Sequence, residues 1–218
     1  MHDIAADRVE YHGATLDGVD ASTGPAALFR AWLEDAYAAG NPEPTAMQLA
    51  TVAVDEDGVA RPSIRTVLLK EVDERGFVFY TNYLSRKSRE IADQAHVALQ
   101  WYWPSLARSV RVEGVAERIT REESEAYFAS RPRGSRLGAW ASPQSSVLGS
   151  RDELLRSYAR AGERFAGADV PCPEHWGGWR VVPQAVEFWQ GEPSRLHDRV
   201  RFERGHPRGE WTVRRLAP

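Results

Sequence analysis

Between residues 47 and 81, three runs rich in β-branched and aromatic residues, MQLATVAV, VARPSIRTVLLK and GFVFYT, follow one another with only DEDG and EVDER between them, the second ending in the turn signal DERG. Links that short hold a turn but no crossover, so consecutive strands must pair antiparallel. Further strands are expected at VALQWYW and SVRVEGVAERI, and two or three more at WRVVP, AVEFWQ and the segments around RVRFER and EWTVRRL. No glycine-rich dinucleotide fingerprint follows any of them. The pattern therefore favours a closed antiparallel sheet over a parallel one with regular crossovers.

Helices are inserted between these strands. Leu28, Phe29, Trp32, Leu33, Ala36 and Tyr37 recur with helical spacing after a start at Ser22, Thr23 and Pro25, and Gly40 ends the pattern. SRKSREIADQA reads as a short helix, and TREESEAYFASR as one capped by Thr120 with Glu123 three residues on. RDELLRSYARAGERFA is a further helix, reached through GSRLGAWASPQSS, which reads as a loop. Residues 1–22 are polar and aperiodic and read as a flexible arm, leaving 23–218 as one domain. The fold class is mainly antiparallel β with flanking helices, α+β, in which 42% hydrophobic content can fill one core.

Charge narrows the function. A net charge of −3 argues against broad nucleic-acid binding, while short arginine clusters within it suit small anions, because a guanidinium matches phosphate or carboxylate oxygens in pairs. Cys172 is the one cysteine, so neither an intrachain disulfide nor a cysteine-based metal site is expected, and a reducing cytoplasm is compatible. No window approaches the roughly 18 consecutive apolar residues of a membrane span, and the expectation is a protein of the cytoplasm that binds no membrane.

The most specific stretch is EFWQGEPSRLHDR, residues 187 to 199. On an extended strand Arg195, His197 and Arg199 share one face, where two fixed cations and an imidazole crowd together unless an anionic or electron-rich ligand separates them. Solvent absorbs such repulsion equally well on an exposed strand, so composition alone leaves both readings open.

The stretch resembles the signature of the pyridoxine/pyridoxamine 5′-phosphate oxidase family. The similarity continues through RTVLLK, FVFYTN, SRKSREI, SRPRGSRLGAWASPQSS, WGGWR and the terminal RLAP, covering roughly residues 25 to 218. It implies a split β-barrel homodimer with FMN in two clefts at the subunit interface. Carried over position by position, Arg65 and Lys87, with Arg86 beside them, would neutralise the FMN phosphate. Thr66, Val67, Leu68 and Lys70 would cradle the cofactor, with Tyr80 and Thr81 at its border. Gln144 and Ser145 would bond it from the other subunit, and Trp189 and Arg199 would close the pocket. Lys70, Tyr127, Arg131 and Ser135 would hold a phosphorylated pyridine substrate, with Tyr127 and Arg131 on one helical face if that helix continues far enough. Arg195 and His197 would cover the pyridine ring as the catalytic pair, and dioxygen would reoxidise the flavin to give hydrogen peroxide.

Ser109 is a departure: the family usually carries a glutamine there that bonds the flavin. Losing one neutral hydrogen bond costs on the order of 1 kcal/mol, so weaker FMN binding or a shifted potential is expected. Two rival readings stay open. One is a paralogous FMN oxidase of another flat anionic metabolite, of the phenazine-precursor type; the other is a flavin- or haem-binding split barrel without turnover.

Overall fold

The structure, a computed structural model, describes residues 10–13, 15–206 and 209–218. Residues 1–9 and 14 of the arm expected at residues 1–22 lie outside them. The part that is described packs on the sheet: Leu16 is buried in the core and its backbone N–H donates to the Asp198 carboxylate at 2.7 Å.

Among the described residues nine strands form one antiparallel sheet, seven of them in the order β2-β1-β5-β6-β7-β4-β3, with β8 paired to β7 and β9 to β8. The strands are β1 (Ala46–Val54), β2 (Ala60–Leu68), β3 (Glu71–Asp73), β4 (Gly76–Asn82), β5 (His96–Trp103), β6 (Arg108–Arg118), β7 (Trp176–Gln190), β8 (Asp198–Glu203) and β9 (Thr212–Arg215). The first hairpin expected from the turn signals is present, β1 pairing with β2 from Ala46↔Leu68 to Val54↔Ala60; the second is not formed as expected, because β2 lies at the far edge of the sheet from β4 and the short β3 takes its place, pairing from Glu71↔Val78 to Asp73↔Gly76. The 15-residue β7 joins everything: along one edge it pairs with β6, along the other first with β4 and then with β8. The helices are α1 (Pro25–Ala38), α2 (Arg86–Asp93), α3 (Arg121–Ser130), α4 (Arg133–Ala141) and α5 (Arg151–Arg164). On α1, Phe29, Trp32 and Ala36 form the buried stripe that closes the barrel core over Phe77, Trp101 and Phe188. At the start of α3 the Thr120 hydroxyl accepts from Glu123 N–H while the Glu123 carboxylate accepts from Thr120 N–H, so both orphan donors are satisfied.

Four further expectations need correction. GSRLGAWASPQSS is not all loop, because α4 occupies 133–141; Leu137 and Ala141 anchor it in a second core with Phe128, Phe165 and Trp176, and that burial outweighs its two glycines. WRVVP and AVEFWQ are one strand: the register against β6 slips between Glu113 and Gly114, a bulge that lets Pro183 sit within β7. Arg131 lies beyond α3, with φ −74° and ψ 147°, because the following Pro132 disfavours helical geometry in the residue before it. Finally, Arg195 and His197 are not on a strand. Pro193–Arg195 forms a 3-10 turn in which Ser194 and Arg195 take positive φ of 56° and 61°, and β8 begins only at Asp198.

Candidate active site

Between the barrel core and the second core lies a cavity of about 450 Å³. The end of β2 gives it Thr66, Val67 and Leu68, with Lys70 just beyond; β4 gives Tyr80 and Thr81, and α2 gives Lys87. Tyr127 of α3, Arg131, Ser135 of α4 and Gln144 complete the wall opposite. Tyr80, Tyr127 and Trp176 lie nearly parallel, Tyr80 and Tyr127 stacked at 3.9 Å, and the Arg131 guanidinium sits 4.7 Å from the centre of the Trp176 ring. Arg131 has therefore not lost its neighbour Tyr127 by leaving the helix.

The electrostatics of this cavity are one-sided. Lys70, Lys87 and Arg131 face it, and among the described residues no carboxylate lines it. Lys87 Nζ donates only to neutral oxygens, those of Thr81, Ser85 and Gln144 at 3.0–3.2 Å. Burial and then the neighbouring charge of Arg65 push its ammonium down to about 8, against the opposing pull of Glu90. Arg131 is lowered by burial as well, and its buried NH1 has no hydrogen-bond partner among the described residues. A buried cation with an unmet donor is costly until an anion satisfies it, so these residues fit a phosphate. Burial, then the charges of Glu71 and Glu123, push the Tyr80 hydroxyl up to about 12, which leaves it a neutral hydrogen-bonding group.

Arg65 and Arg86 do not line the cavity. Both pair with Glu90 of α2, at 2.9 and 2.8 Å, and Arg65 also reaches Thr51 and the Leu49 carbonyl. Burial alone would raise the Glu90 carboxyl, yet the Thr51, Arg86 and Ser63 hydrogen bonds and the Arg65 charge hold it at about 2. Arg65 thus acts on the cavity from behind Lys87. Gln144 bonds Thr81 and Lys87 of its own chain, whereas the resemblance assigns it to the other subunit; Ser145, at φ 72°, is exposed and outside the cavity.

Ser109, Trp189 and Arg199 line a second concavity of about 410 Å³ with Gln100, Tyr102, Arg111 and Pro218. Here register explains proximity: Ser109 pairs with Trp189 across β6–β7, and Trp189 with Arg199 across β7–β8. Glu187, 2% exposed, accepts from Arg199 Nε at 2.9 Å and from Arg111. Burial would raise its carboxyl, but the Arg199 and Arg111 hydrogen bonds and charges hold it below the usual range. His197 packs on Trp189 with ring centres 4.7 Å apart, and its Nδ1 accepts from Glu192 N–H, while Arg195 is exposed. The Tyr11 ring meets both Trp189 and His197 edge-on, at 5.7 and 5.8 Å.

Sequence reasoning gave no role to Glu90, Trp176, Glu187 or Tyr11. Trp176 opens WGGWR and Glu187 opens the signature stretch, so both were visible; what was missing was the register that aims them.

Two family models match the chain: residues 33–164 match the model described as pyridoxamine 5′-phosphate oxidase, and 176–218 the pyridoxine 5′-phosphate oxidase C-terminal dimerisation region. The chain is 53% identical over 220 residues to a pyridoxine/pyridoxamine 5′-phosphate oxidase of Burkholderia multivorans, and 52% identical over 219 to that of Burkholderia thailandensis, each pair covered end to end. Among solved structures it resembles PhzG from Burkholderia lata, solved with tetrahydrophenazine-1-carboxylic acid, at TM-score 0.81 and 30% identity over 94% of this chain and 100% of that one. It shares its fold with a pyridoxamine 5′-phosphate oxidase-related FMN-binding protein from Nostoc punctiforme, at TM-score 0.70 and 19% identity over 91% of this chain and 100% of that one. The split-barrel architecture, both halves of the family pattern and end-to-end identity near one half agree, and the chain belongs to the pyridoxine/pyridoxamine 5′-phosphate oxidase family.

Proposed function

We propose that the protein binds FMN and oxidises pyridoxamine or pyridoxine 5′-phosphate to pyridoxal 5′-phosphate, working in the cytoplasm as a homodimer. The observation that carries this reading is the first cavity, with three cations, no carboxylate and an unmet Arg131 donor. Lys87, with Arg65 behind it, would hold the FMN phosphate, and Thr66, Val67, Leu68, Tyr80, Thr81 and Gln144 would flank the cofactor. Lys70, Tyr127, Arg131 and Ser135 would hold the substrate phosphate, a mixture of point charge, planar fork and hydroxyls that suits a tetrahedral anion. When bound, FMN supplies two-electron oxidation with dioxygen as the final acceptor and hydrogen peroxide as product.

The placement of the two cavities at opposite ends of β7 supports pairing of two chains. Trp176, at the first cavity, opens β7, and Trp189, at the second, lies beside its last residue; fifteen extended residues span at most about 50 Å. The two cavities share no lining residue. A partner's second wall laid against the first cavity would bring both residue sets to one ligand, in keeping with the match to a dimerisation region. Trp189 and Arg199 would then cover the flavin, and Arg195 and His197 the pyridine ring. Their work is alignment, with one of the latter two assisting proton removal from the substrate heteroatom.

The likeness to PhzG supports a second reading, an oxidase of a phenazine precursor. A carboxylated tricycle, however, has no need of a four-residue cradle for a tetrahedral anion. The test is to record the visible spectrum of the purified protein, then add pyridoxine 5′-phosphate in air and follow pyridoxal phosphate and peroxide. Formation of both is expected. A yellow protein that turns over tetrahydrophenazine-1-carboxylic acid instead would establish the second reading, and a colourless protein unable to take up FMN would overturn both.

A further inference from the structure

In the second concavity the charged groups that a flat heteroaromatic ring would meet are turned largely onto one another. Its two guanidinium groups are drawn onto Glu187, at 2.9 Å in the case of Arg199, which also donates to the Ala217 carbonyl. Ser109 is 8% exposed, and its hydroxyl donates to the Trp101 carbonyl at 2.8 Å, so its proton is turned into the sheet rather than the cavity. One neutral amide remains on this wall. Gln100 of β5 pairs with Arg111 while Ser109 pairs with Tyr102, which makes Gln100 and Ser109 diagonal neighbours on one face. The Gln100 side chain reaches across that diagonal until its Nε2 lies 3.4 Å from the Ser109 hydroxyl, and among the described residues its Oε1 has no hydrogen-bond partner.

We propose that Gln100 supplies, from the adjacent strand, the side-chain amide that bonds the flavin ring in the cavity walled by Trp189 and Arg199. The assignment rests on the FMN reading above. An amide carries both a donor and an acceptor and can meet either a ring nitrogen or a ring carbonyl without adding charge. Ser109 then serves as an anchor: its oxygen faces the Gln100 Nε2 and fixes which way the amide lies. A serine at 109 and a glutamine at 100 thus form one unit, and the departure at 109 removes no cofactor contact.

The test uses the flavin-free full chain titrated with FMN and read by quenching of flavin fluorescence, so that it is independent of turnover. Gln100 is exposed, and its replacement leaves the core intact. Gln100→Leu should raise the FMN dissociation constant about five-fold, the effect of one lost neutral hydrogen bond. Ser109→Ala should change it by less than about two-fold, and Ser109→Gln placed in the Gln100→Leu background should restore tight binding. FMN binding by Gln100→Leu equal to that of the parent would overturn the proposal while leaving the FMN reading intact. Failure of the parent itself to bind FMN would overturn both.

Discussion

In the first cavity Lys70, Lys87 and Arg131 face a space that no carboxylate lines, whereas in the second Arg111 and Arg199 are closed onto the buried Glu187. The two walls carry similar numbers of cations and treat them in opposite ways. The second wall carries its own counter-charge, and Glu187 pairs with both arginines before any ligand arrives. The first has no carboxylate among the described residues that line it, and its buried Arg131 NH1 donor is left unmet there. The difference separates residues that hold the fold from residues that hold a ligand, a distinction that a count of arginines in the sequence does not contain.

The sharpest way to break this comparison is at Glu187. Replacing it by alanine should destabilise the protein by about 3 kcal/mol, near the low end for a broken buried pair because Arg111 is half exposed, as read by urea denaturation. An unchanged midpoint would mean that the second wall is not self-supporting. Next in size, Arg131→Leu should raise the Michaelis constant for pyridoxine 5′-phosphate about 30-fold while leaving FMN affinity and stability unchanged, since it removes a charge-assisted contact to the ligand. Lost stability with unchanged kinetics would move Arg131 to the packing. Smallest is the pH effect at Lys87. Its ammonium, held at about 8 in the free cavity, is present below that pH and lost above it, while a bound phosphate favours the charged form. FMN association should therefore weaken above pH 8, by at most about ten-fold per pH unit, and Lys87→Gln should flatten the profile.

Much of this was legible in the sequence. DEDG marked the β1–β2 hairpin and DERG the turn into β4, and Thr120 with Glu123 announced α3, because turns and caps are local chemistry; which strand pairs with β4 was not local, and it is β3 rather than β2. Lys70, Tyr127, Arg131 and Ser135, which the resemblance groups around a substrate phosphate, line one cavity together with Lys87. The failures came where tertiary contacts override local signals. Pro183 looks like a strand breaker until a bulge accommodates it, and Gly134 and Gly138 look like loop until Leu137 and Ala141 are buried. Alternation placed Arg195 and His197 on one strand face, but positive φ at Ser194 and Arg195, which is uncommon for such residues, bends the chain away from that geometry. The ion pairs of Arg65 with Glu90 and of Arg199 with Glu187, the latter joining the two ends of EFWQGEPSRLHDR, depend on how strands and helices pack, and nothing in composition indicates them.

The length of β7 has a genetic meaning. With one cavity at each end of a 15-residue strand, a lesion near Trp176 and a lesion near Trp189 damage opposite walls. In a pair assembled as proposed, each reaction centre draws one wall from each chain. Two different defective alleles, one for each end, then yield mixed pairs in which a single centre collects both lesions and the other collects none. Inheritance of two broken copies leaves a working enzyme, whereas two copies broken at the same end do not.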